Sequence, residues 1–406
     1  MNRFFHFPTL DPVPMSKPRP PADADQPDSP RKNLRWGFST GSAATAAALG
    51  AAMFLRDGAP PDKVLVRLPG GGDLAVPVSD AGRRARGGVW ALVVKDGGDD
   101  PDVTNGARIS TTLEPGRAPG LEIVGGAGVG RVTRPGLVLP PGEWAVNPTP
   151  RKMLADNLAP WLREGGLRAT VSIDRGEELA KKTLNPKLGI VGGLSVLGTS
   201  GLVKPFSNQA YVATIDQAMA VARAGGATEI VLSTGGRSEG LARIMRPDLP
   251  EECFVQIADF FHAGIRLAVR HGFEIIGLAE FFGKAVKQAA GFKYTHARRH
   301  DLDLGFLADR LPGLEGAGRE VFLASPTALA ALEVLKGLGL LSAVPAVARL
   351  VLRSARDFAG GGPGLWAAVF DFDGRPLALE TDGASPGQAF PGPGPVVADP
   401  NRGEGL

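Results

Sequence analysis

Residues 187–207 read KLGIVGGLSVLGTSGLVKPFS, and this stretch decides the fold that we predict. It opens with an apolar run at 188–191, which has the length of a buried strand. A loop rich in glycine and hydroxyl side chains follows, and Ser207 is a suitable N-cap for a helix predicted over 208–224. A strand, a glycine-rich loop and a helix in this order bring backbone N–H groups close to a ligand's negative charge. The stretch therefore favours a ligand-binding loop, although the same glycines also suit ordinary tight turns.

The chain after residue 166 alternates strand-like and helix-like segments. Strands are predicted at 169–173, 188–191, 229–233, 254–257 and 273–278, and a hairpin is predicted around Asp373-Gly374. Alternation at this spacing is typical of parallel βαβ units. We therefore predict a C-terminal Rossmann-like α/β domain at 167–383, followed by a flexible glycine- and proline-rich tail at 384–406.

The chain before residue 166 has a different pattern. Residues 1–32 are rich in proline and charge and have almost no apolar periodicity, which predicts a disordered tail. Ser39 and Thr40 precede an alanine-rich helix, and strand-like segments follow at 64–68, 74–78, 89–94, 108–113 and 121–124. These segments predict an N-terminal α+β domain at 33–166 with a largely antiparallel sheet. The predicted fold class is therefore α/β and α+β in two domains.

The bulk composition narrows the function classes. The 406 residues are 43% hydrophobic and 21% charged, which is ordinary for a globular protein. The net charge of +3 creates no global field that would attract nucleic acid. No apolar run reaches the length of a membrane span, and no signal peptide is recognisable. The single cysteine and five scattered histidines argue against a disulfide and against a protein-bound metal, and we expect a cytoplasmic protein.

An acidic loop at residues 95–106 reads KDGGDDPDVTNG, with four carboxylates within residues 96–102. Neighbouring carboxylates repel one another, so a cation, a hydrogen-bond donor such as a ribose hydroxyl, or solvent is needed to stabilise the loop. Magnesium with a nucleotide and a positively charged sulfonium cofactor both satisfy that need. A solvated turn is the competing interpretation, because Asp-Pro and Asn-Gly are turn dipeptides.

A basic run at residues 282–300 reads FGKAVKQAAGFKYTHARRH and contains no acid. Its cations alternate with Phe292 and Tyr294, which indicates a site for a polyanionic, partly flat ligand. His296 is suited to proton transfer or to a hydrogen bond with a carboxylate. The competing interpretations are a solvated charged face and a histidine that is hydrogen-bonded within the fold.

Several motifs in one order resemble the cobalt-precorrin-5B methyltransferase family (CbiD-like). They are the opening stretch with Asn185-Pro186, the segments at 39–41, 99–104 and 147–151, and the pairs Gly283-Lys284 and Thr295-His296. The resemblance extends from about Leu34 to Asp373. The chain departs from the family pattern at a few positions: no cysteine follows Ser42, and the residues at Phe261, His262, Phe281, Phe282 and Ala297 differ from those expected.

This resemblance implies methyl transfer from S-adenosyl-L-methionine to carbon 1 of cobalt-precorrin-5B, giving cobalt-precorrin-6A in the anaerobic route to cobalamin. Cobalt would enter only as part of the substrate. The electron-rich macrocycle carbon is the nucleophile, so the reaction needs two ligands held in register and no side-chain nucleophile. The implied partners are these two small molecules, while a homo-oligomer and association with other cobalamin-pathway enzymes are left open.

We assign roles to residues on this basis. Asp100 and His296 are the candidate catalytic residues. The residues predicted to bind the cofactor lie in the acidic loop and the glycine-rich loop: Asp99, Asp102, Gly198, Thr199, Ser200 and Gly201. The residues predicted to bind the substrate carry hydroxyl groups or positive charge: Ser39, Thr40, Arg151, Lys284, Lys287 and Thr295.

Two other function classes compete with this interpretation. A small-molecule kinase would use the Ser39–Ala47 helix start for phosphate and the acidic loop for magnesium, but it leaves the C-terminal motifs unexplained. A non-catalytic tetrapyrrole-binding protein would give a coloured complex without methyl transfer.

Overall fold

The computed structural model of the chain describes residues 34–85, 87–162, 166–296 and 302–383. Both predicted tails, residues 297–300 of the basic run and the following Asp301 lie outside the described residues. The elements of the first half are β1 (Gly37–Phe38), α1 (Thr40–Asp57), β2 (Lys63–Arg67), β3 (Asp73–Pro77), β4 (Asp80–Arg83), β5 (Val89–Val94), β6 (Arg108–Pro115), β7 (Leu121–Gly125), β8 (Arg131–Val132), α2 (Pro148–Leu158), β9 (Leu167–Ile173), α3 (Gly176–Ala180), β10 (Ile190–Val191) and β11 (Leu202–Val203).

The elements of the second half are α4 (Asn208–Ala224), β12 (Glu229–Ser233), α5 (Gly236–Met245), β13 (Phe254–Gln256), α6 (Phe261–Arg270), β14 (Ile275–Phe281), α7 (Phe282–Ala289), α8 (Leu304–Ala308), α9 (Gly316–Leu323), α10 (Ala328–Gly337), α11 (Val344–Ala359), β15 (Gly364–Phe370) and β16 (Pro376–Asp382). Helix α4 begins and ends at the predicted residues, and the Ser207 hydroxyl accepts a hydrogen bond from the Ala210 N–H at 3.2 Å. The several sheets and interleaved helices confirm a mixed α/β fold class.

The first large sheet has the strand order β4-β5-β6-β9-β7. All neighbours are antiparallel except β7 and β9. Helix α1 covers this sheet, and its run of alanines is fully buried against β5 and β6. Small side chains let the helix backbone approach the sheet closely, and the Thr111 hydroxyl donates to the Ala44 carbonyl at 2.9 Å. The alanine-rich composition of α1 therefore serves packing as well as helix propensity.

The second large sheet has the strand order β13-β12-β14-β15-β16. Strands β12 to β15 are parallel, and β16 is antiparallel at the edge. The chain moves from β12 outward to β13 and then returns to the other side of β12 with β14. The carboxyl ends of β12 and β14 therefore flank a topological switch point, which is where open α/β sheets form a crevice for ligands.

The structure corrects the prediction for the strand of the opening stretch. Only Ile190–Val191 forms a strand, and it pairs antiparallel with β8 instead of joining the parallel sheet. Tight turns shorten it: Gly189 has a φ of +72°, and the Ile190 N–H donates to the Asn185 carbonyl at 2.8 Å. In addition, β9 pairs with β6 and β7 of the first sheet. The change of sheet therefore follows Val203 and does not coincide with the predicted boundary at residue 166.

Contacts join the two halves along α4 and the segments beside it. Lys187 Nζ lies 2.6 Å from Glu239 Oε1, and both side chains are largely buried. Val221 of α4 is buried in an apolar cluster with Val132 and Leu188. A buried ion pair and an apolar cluster at one junction hold the halves in a defined relation.

The start of the second sheet is fastened by a buried polar cluster. Arg246 is 2% exposed and pairs with Glu229 and with Asp248, whose Oδ2 lies 2.7 Å away. Trp366 donates its indole N–H to Glu229 at 2.8 Å. Hydrogen bonds to Asp248 and Glu229 raise the pKa of Arg246 despite its burial. Gly277 faces Trp366 across the sheet and leaves room for its indole.

In the described ranges, no single helix is long and apolar enough to cross a membrane. One pair of helices, Ala328–Gly337 and Leu341–Ala359, passes the same test jointly by length and composition and is bent by 120°.

The packing around Trp366 generates a stability prediction. A Cβ at position 277 would overlap the Trp366 indole, so Gly277→Ala forces the ring or the strand to move. We expect Gly277→Ala to lower the free energy of unfolding by about 1–3 kcal/mol, measured by urea unfolding. The matched control is Gly240→Ala in α5, where no atom lies within 4 Å of the added Cβ. That control should raise stability by about 0.5–1 kcal/mol, and a neutral Gly277→Ala would contradict the packing argument.

Candidate functional site

A cleft of about 710 Å³ lies at the carboxyl ends of β12 and β14. Its position at the switch point follows from the strand order of the second sheet. The lining combines glycines, hydroxyl groups, cations and aromatic rings. The residues are Thr234, Gly235, Gly236, Arg237, Ser238, Phe281, Gly283, Lys284, Lys287, Thr295, Leu302, Pro326, Thr327, Ala328, Leu329 and Phe372.

Three helices begin at the rim of this cleft. Gly235, Phe281 and Thr327 are the N-caps of α5, α7 and α10, and all three line the cleft. The Thr327 side chain accepts from the Ala330 N–H at 3.1 Å, whereas the caps of α5 and α7 make no side-chain hydrogen bond. The first N–H groups of a helix carry partial positive charge. The rim therefore presents three positive helix ends to one cavity.

The charged side chains of the cleft lining are all cationic. Arg237, Lys284 and Lys287 line it, and no aspartate or glutamate does so within the described residues. The ammonium group of Lys284 contacts the Asp259 carboxylate behind the lining. Thr295 donates to Asp259 twice, with its hydroxyl to Oδ1 at 3.1 Å and with its N–H to the carbonyl at 3.0 Å. Asp259 thus orients Lys284 and Thr295 towards the cleft.

Two stacked aromatic rings form an apolar wall of the cleft. Phe281 and Phe372 stack with their centroids 6.5 Å apart and their planes 14° apart. The Arg237 guanidinium lies 5.0 Å from the Phe281 ring centre and donates to the Phe372 carbonyl at 3.0 Å. Two contacts hold Arg237, and the wall offers an apolar face to a planar ligand.

A buried carboxyl group lies immediately before this wall. Glu280 is 1% exposed, and its Oε1 has no hydrogen-bond partner among the described residues. Burial raises the pKa of Glu280 well above its usual range, and the opposing charge of Lys284 is too weak to offset that effect. Burial therefore disfavours the negatively charged form of Glu280 beside the cleft.

The carboxylates of the acidic loop find partners within the chain. Asp102 Oδ2 lies 2.6 Å from the ammonium group of Lys95, which is 2% exposed. Thr104 donates its N–H and its hydroxyl to Asp102 Oδ1, each at 2.7 Å. Burial alone would raise the pKa of Asp102, but the charge of Lys95 and the hydrogen bonds from Lys95 and Thr104 hold it below its usual range.

The other three carboxylates bind backbone or arginine groups. Asp96 pairs with the Arg35 guanidinium, whose hydrogen bonds lower the pKa of Asp96. Asp99 accepts the Arg35 N–H at 2.7 Å, and Asp100 accepts the Phe206 N–H at 2.9 Å. The loop is therefore a connector between β1 and the segment after β11. Its carboxylates are oriented by the fold before any ligand arrives.

The glycine-rich loop packs against the start of α1. Gly198 has a φ of +135° and leaves room for Ser39, while the Gly201 carbonyl accepts the Ser39 N–H at 2.9 Å. Thr40 Oγ1 donates to the Leu197 carbonyl at 3.1 Å and accepts the Leu197 N–H at 2.9 Å. Ser39 and Thr40 are buried by these contacts. Close backbone packing accounts for the glycines at 198 and 201.

Three more predicted residues lie around these loops. Thr199 and Ser200 are exposed at the tip of the glycine-rich loop, where the Ser200 hydroxyl accepts the Leu202 N–H at 3.2 Å. Arg151 in α2 donates to the Val146 carbonyl at 2.7 Å and to Glu143 at 3.0 Å. Its guanidinium is therefore occupied by its own neighbourhood.

His296 lies at one end of a row of aromatic contacts that leads to α4. Its ring stacks on Tyr294 at 6.0 Å, Tyr294 packs on Phe260 at 5.1 Å, and Phe260 stacks on Tyr211 at 5.3 Å. Tyr211 lies in the first turn of α4, close in sequence to Phe206, which binds Asp100. Three successive ring contacts therefore connect His296 to the first turn of α4, and Asp100 binds the segment just before that helix.

The structure gathers the predicted residues into two groups. Lys284, Lys287 and Thr295 meet in the cleft, whereas Ser39, Thr40, the glycine-rich loop and the acidic loop meet around β1 and β11. Sequence reasoning missed Arg237, Phe281, Phe372 and Asp259. The usable signal was Ser233-Thr-Gly-Gly236 between a strand and a helix, which lacks an acid but has the glycines of a crevice loop.

The remaining candidates for reactive groups are the thiol of Cys253 and clusters of metal-binding side chains. Burial raises the pKa of the Cys253 thiol to about 11, so it is a poor nucleophile. In the part of the chain that the structure describes, no group of three or more His, Cys, Asp or Glu side chains is placed to hold a metal ion.

Comparisons with known proteins identify the enzyme class and the protein family of this chain. Curated relatives named cobalt-precorrin-5B C(1)-methyltransferase come from Salinispora tropica (42% identical, 86% of this chain and 94% of the relative), Geobacillus kaustophilus (39%, 87% and 97%) and Nitratidesulfovibrio vulgaris (43%, 86% and 93%). At this identity over nearly full length, the protein is an enzyme of the methyltransferase class. The family model described as CbiD matches residues 27–205, and the one described as CbiD, C-terminal domain, matches residues 294–381. The chain belongs to the CbiD family.

A crystal structure of cobalamin biosynthesis protein (cbiD) from Archaeoglobus fulgidus is 26% identical and covers 75% of this chain and 85% of that chain. Its TM-score is 0.35, at which the superposition does not support a comparison of the two folds.

The ion pair in the acidic loop generates a pH-dependent prediction. Because the folded pKa of Asp102 is lowered, its contribution to stability is present above the unfolded pKa of about 3.9 and is lost as the pH falls through the folded value. We expect Asp102→Asn to lower the free energy of unfolding by about 1.5–3 kcal/mol at pH 7, since it leaves Lys95 buried without its charge partner. The difference from wild type should shrink below about pH 4 in urea unfolding.

The control for Asp102→Asn is the exposed pair of Arg108 and Asp174, whose side chains are 55% and 57% exposed. Asp174→Asn should cost less than about 1 kcal/mol at any pH. Equal effects of the two substitutions would mean that burial of Lys95 does not strengthen the Asp102 interaction.

Proposed function

We propose that this protein transfers a methyl group from S-adenosyl-L-methionine to carbon 1 of cobalt-precorrin-5B, giving cobalt-precorrin-6A in the anaerobic route to cobalamin. The observation that carries the proposal is the name shared by relatives that are 39–43% identical over 86–87% of this chain. The cobalt is part of the substrate. The methyl donor leaves as S-adenosylhomocysteine.

The proposed methyl transfer requires the protein mainly to align two ligands. An electron pair at carbon 1 forms the new carbon–carbon bond, and the pair of the breaking sulfur–carbon bond stays on sulfur. No side-chain nucleophile takes part, which agrees with the high pKa of Cys253. Alignment of reacting groups accounts for a large part of such rate enhancements. His296, at the edge of the aromatic row, is the candidate for proton transfer to or from the macrocycle.

We propose that the donor binds between the acidic loop and the tip of the glycine-rich loop. Asp99, Asp100 and Asp102 would favour the sulfonium or grip the ribose, and residues 198–201 would pass close to the methionine end. The hydrogen bond from the Phe206 N–H to Asp100 supports this proposal, because it holds the acidic loop against the segment that follows the glycine-rich loop. Ser39, Thr40 and Arg151 would position these loops. Their polar groups already bind the carbonyls of Gly201, Leu197 and Val146, respectively.

We propose that Lys284, Lys287 and Thr295 bind carboxylates of the macrocycle. The support is their common position in a cleft whose lining carries cations and three helix starts. The two sheets are proposed to form two domains, with the Rossmann-like one beginning near residue 204 in view of the strand pairing. A cytoplasmic location remains a prediction.

The kinase alternative gains no support from the helix start that suggested it. The Thr40 hydroxyl is bound to Leu197, and the Ser39 side chain caps α1 by accepting the Ser42 N–H at 3.1 Å. Thermal protection by S-adenosylhomocysteine, and none by ATP with magnesium, is the expected ligand response.

The decisive assay is anaerobic incubation of the protein with labelled S-adenosylmethionine and cobalt-precorrin-5B. Mass spectrometry of the macrocycle should show the gain of one labelled methyl group. An unchanged macrocycle, beside an active related enzyme as control, would defeat the proposal. A coloured complex without mass gain would identify a tetrapyrrole-binding protein instead.

Asp100→Asn tests the donor site with little risk to the fold. Asparagine keeps an oxygen that can accept the Phe206 N–H, so the substitution removes mainly the charge. We expect the affinity for S-adenosylmethionine to fall by about tenfold or more, because hydrogen bonds to charged groups contribute about 1.5–3 kcal/mol. Calorimetric titration measures it. The control Asp309→Asn removes an exposed charge paired with Arg319 and should change nothing.

Unchanged donor affinity and unchanged turnover in Asp100→Asn would show that the acidic loop is not part of the donor site.

A further inference from the structure

We infer that the cleft at the carboxyl ends of β12 and β14 binds the polycarboxylated macrocycle and excludes the methyl donor, with Arg237, Phe281 and Phe372 as recognition residues for the macrocycle. None of these three side chains was expected from the sequence motifs. The inference rests on the proposed function for the identity of the macrocycle. The chemical class of the ligand, a flat polyanion, follows from the cleft itself.

The electrostatics of the cleft favour an anion with several charges. The starts of α5, α7 and α10 converge on it, and Arg237, Lys284 and Lys287 add side-chain cations. Within the described residues the lining contains no acid, and burial disfavours the charged form of the neighbouring Glu280. Helix starts and cations that point at one cavity reinforce one another, because each favours negative charge at the same place.

The same field disfavours the methyl donor. S-adenosylmethionine carries a sulfonium and an ammonium group against one carboxylate, so its net charge is positive. Asp259 is the acid that contacts Lys284, and its carboxylate is taken by the Lys284 ammonium and the Thr295 hydroxyl. A sulfonium in the cleft would meet like charges, and no carboxylate of the described lining would balance it. The donor is therefore assigned to the acidic loop, where the carboxylates of Asp99 and Asp100 accept hydrogen bonds from uncharged backbone N–H groups.

The aromatic part of the cleft lining adds a preference for a ligand with an apolar, planar face. Phe281 and Phe372 are stacked, with their planes 14° and their ring centres 6.5 Å apart, and they add an apolar wall to the lining. Arg237 is fixed over Phe281 and against the Phe372 carbonyl. A fixed guanidinium at the edge of an apolar wall suits a macrocycle whose face is apolar and whose rim carries carboxylates.

The test uses uroporphyrin, a flat tetrapyrrole with carboxylates on every pyrrole ring, as the probe of the full-length protein. Its binding is followed by the quenching of its fluorescence. Arg237→Ala should weaken uroporphyrin binding by about tenfold, the size expected when a hydrogen bond to a charged group is lost. Arg237→Lys keeps the positive charge but loses the planar guanidinium, so its affinity for uroporphyrin should lie between those of the wild type and Arg237→Ala. The affinity for S-adenosylhomocysteine should stay unchanged in both variants.

The matched control is Arg243→Ala, which removes an exposed cation of the same helix that pairs with Glu251 at 3.2 Å. It should leave both affinities at the wild-type level. Thermal melts of all variants identify any that fail to fold, and Phe372→Leu then serves as a second probe, because it keeps apolar volume and removes the flat ring. Phe372→Leu should weaken uroporphyrin binding without affecting S-adenosylhomocysteine.

Two results would overturn the inference. One is competition between S-adenosylhomocysteine and uroporphyrin with a loss of S-adenosylhomocysteine affinity in Arg237→Ala. The other is tighter binding of ATP than of uroporphyrin at the cleft, with the same dependence on Arg237. In turnover, Arg237→Ala should raise the KM for the macrocycle and leave the KM for the donor unchanged. A wild-type enzyme without methyl transfer would defeat the proposed function, yet the uroporphyrin measurements would still decide the ligand class of the cleft.

Discussion

The close backbone packing of three segments around β1 is the constraint on which the rest of the structure depends. Gly37 lies against Gly97 and Gly98 of the acidic loop, and a Cβ at either Gly37 or Gly98 would overlap the opposite backbone. On the other side of β1, the Ser39 N–H donates to the Gly201 carbonyl at 2.9 Å. Only glycine permits such an approach. It holds the acidic loop, the start of α1 and the glycine-rich loop as one unit.

This packing places the four carboxylates of the acidic loop beside groups of the chain that bind them. Lys95 and Arg35 supply charge to Asp102 and Asp96, and backbone N–H groups serve Asp99 and Asp100. The cleft of the second sheet has the opposite charge. Cations and helix starts meet there, and the described lining contains no acid. One chain thus carries an oriented acidic loop and a cationic cleft. Such a division of charge suits an enzyme whose two ligands have opposite charge.

Local signals in the sequence predicted the elements that depend on local physics. Helix α4 was predicted to its end residues, because Ser207 caps it and its apolar positions repeat at helical spacing. The run at 188–191 was assigned to the wrong partner, since apolar periodicity does not reveal which strand lies alongside. Arg237 was missed for a related reason. Its hydrogen bond to Phe372 joins residues that are 135 positions apart, and only the strand order of the sheet brings them together.

The two charged regions, which we propose as the two ligand sites, are connected by contacts at the start of α4. Phe206 binds the acidic loop, and Tyr211 in the first turn of α4 stacks on Phe260, which supports Tyr294 and the His296 ring. In-line methyl transfer tolerates little error in the distance or angle between the reacting atoms. On our proposal, a displacement of either region would therefore reach the other through the start of α4, which Ser207 caps. The glycines at 198 and 201 serve packing against the start of α1, and the segment 206–211 that follows them makes contacts towards both regions.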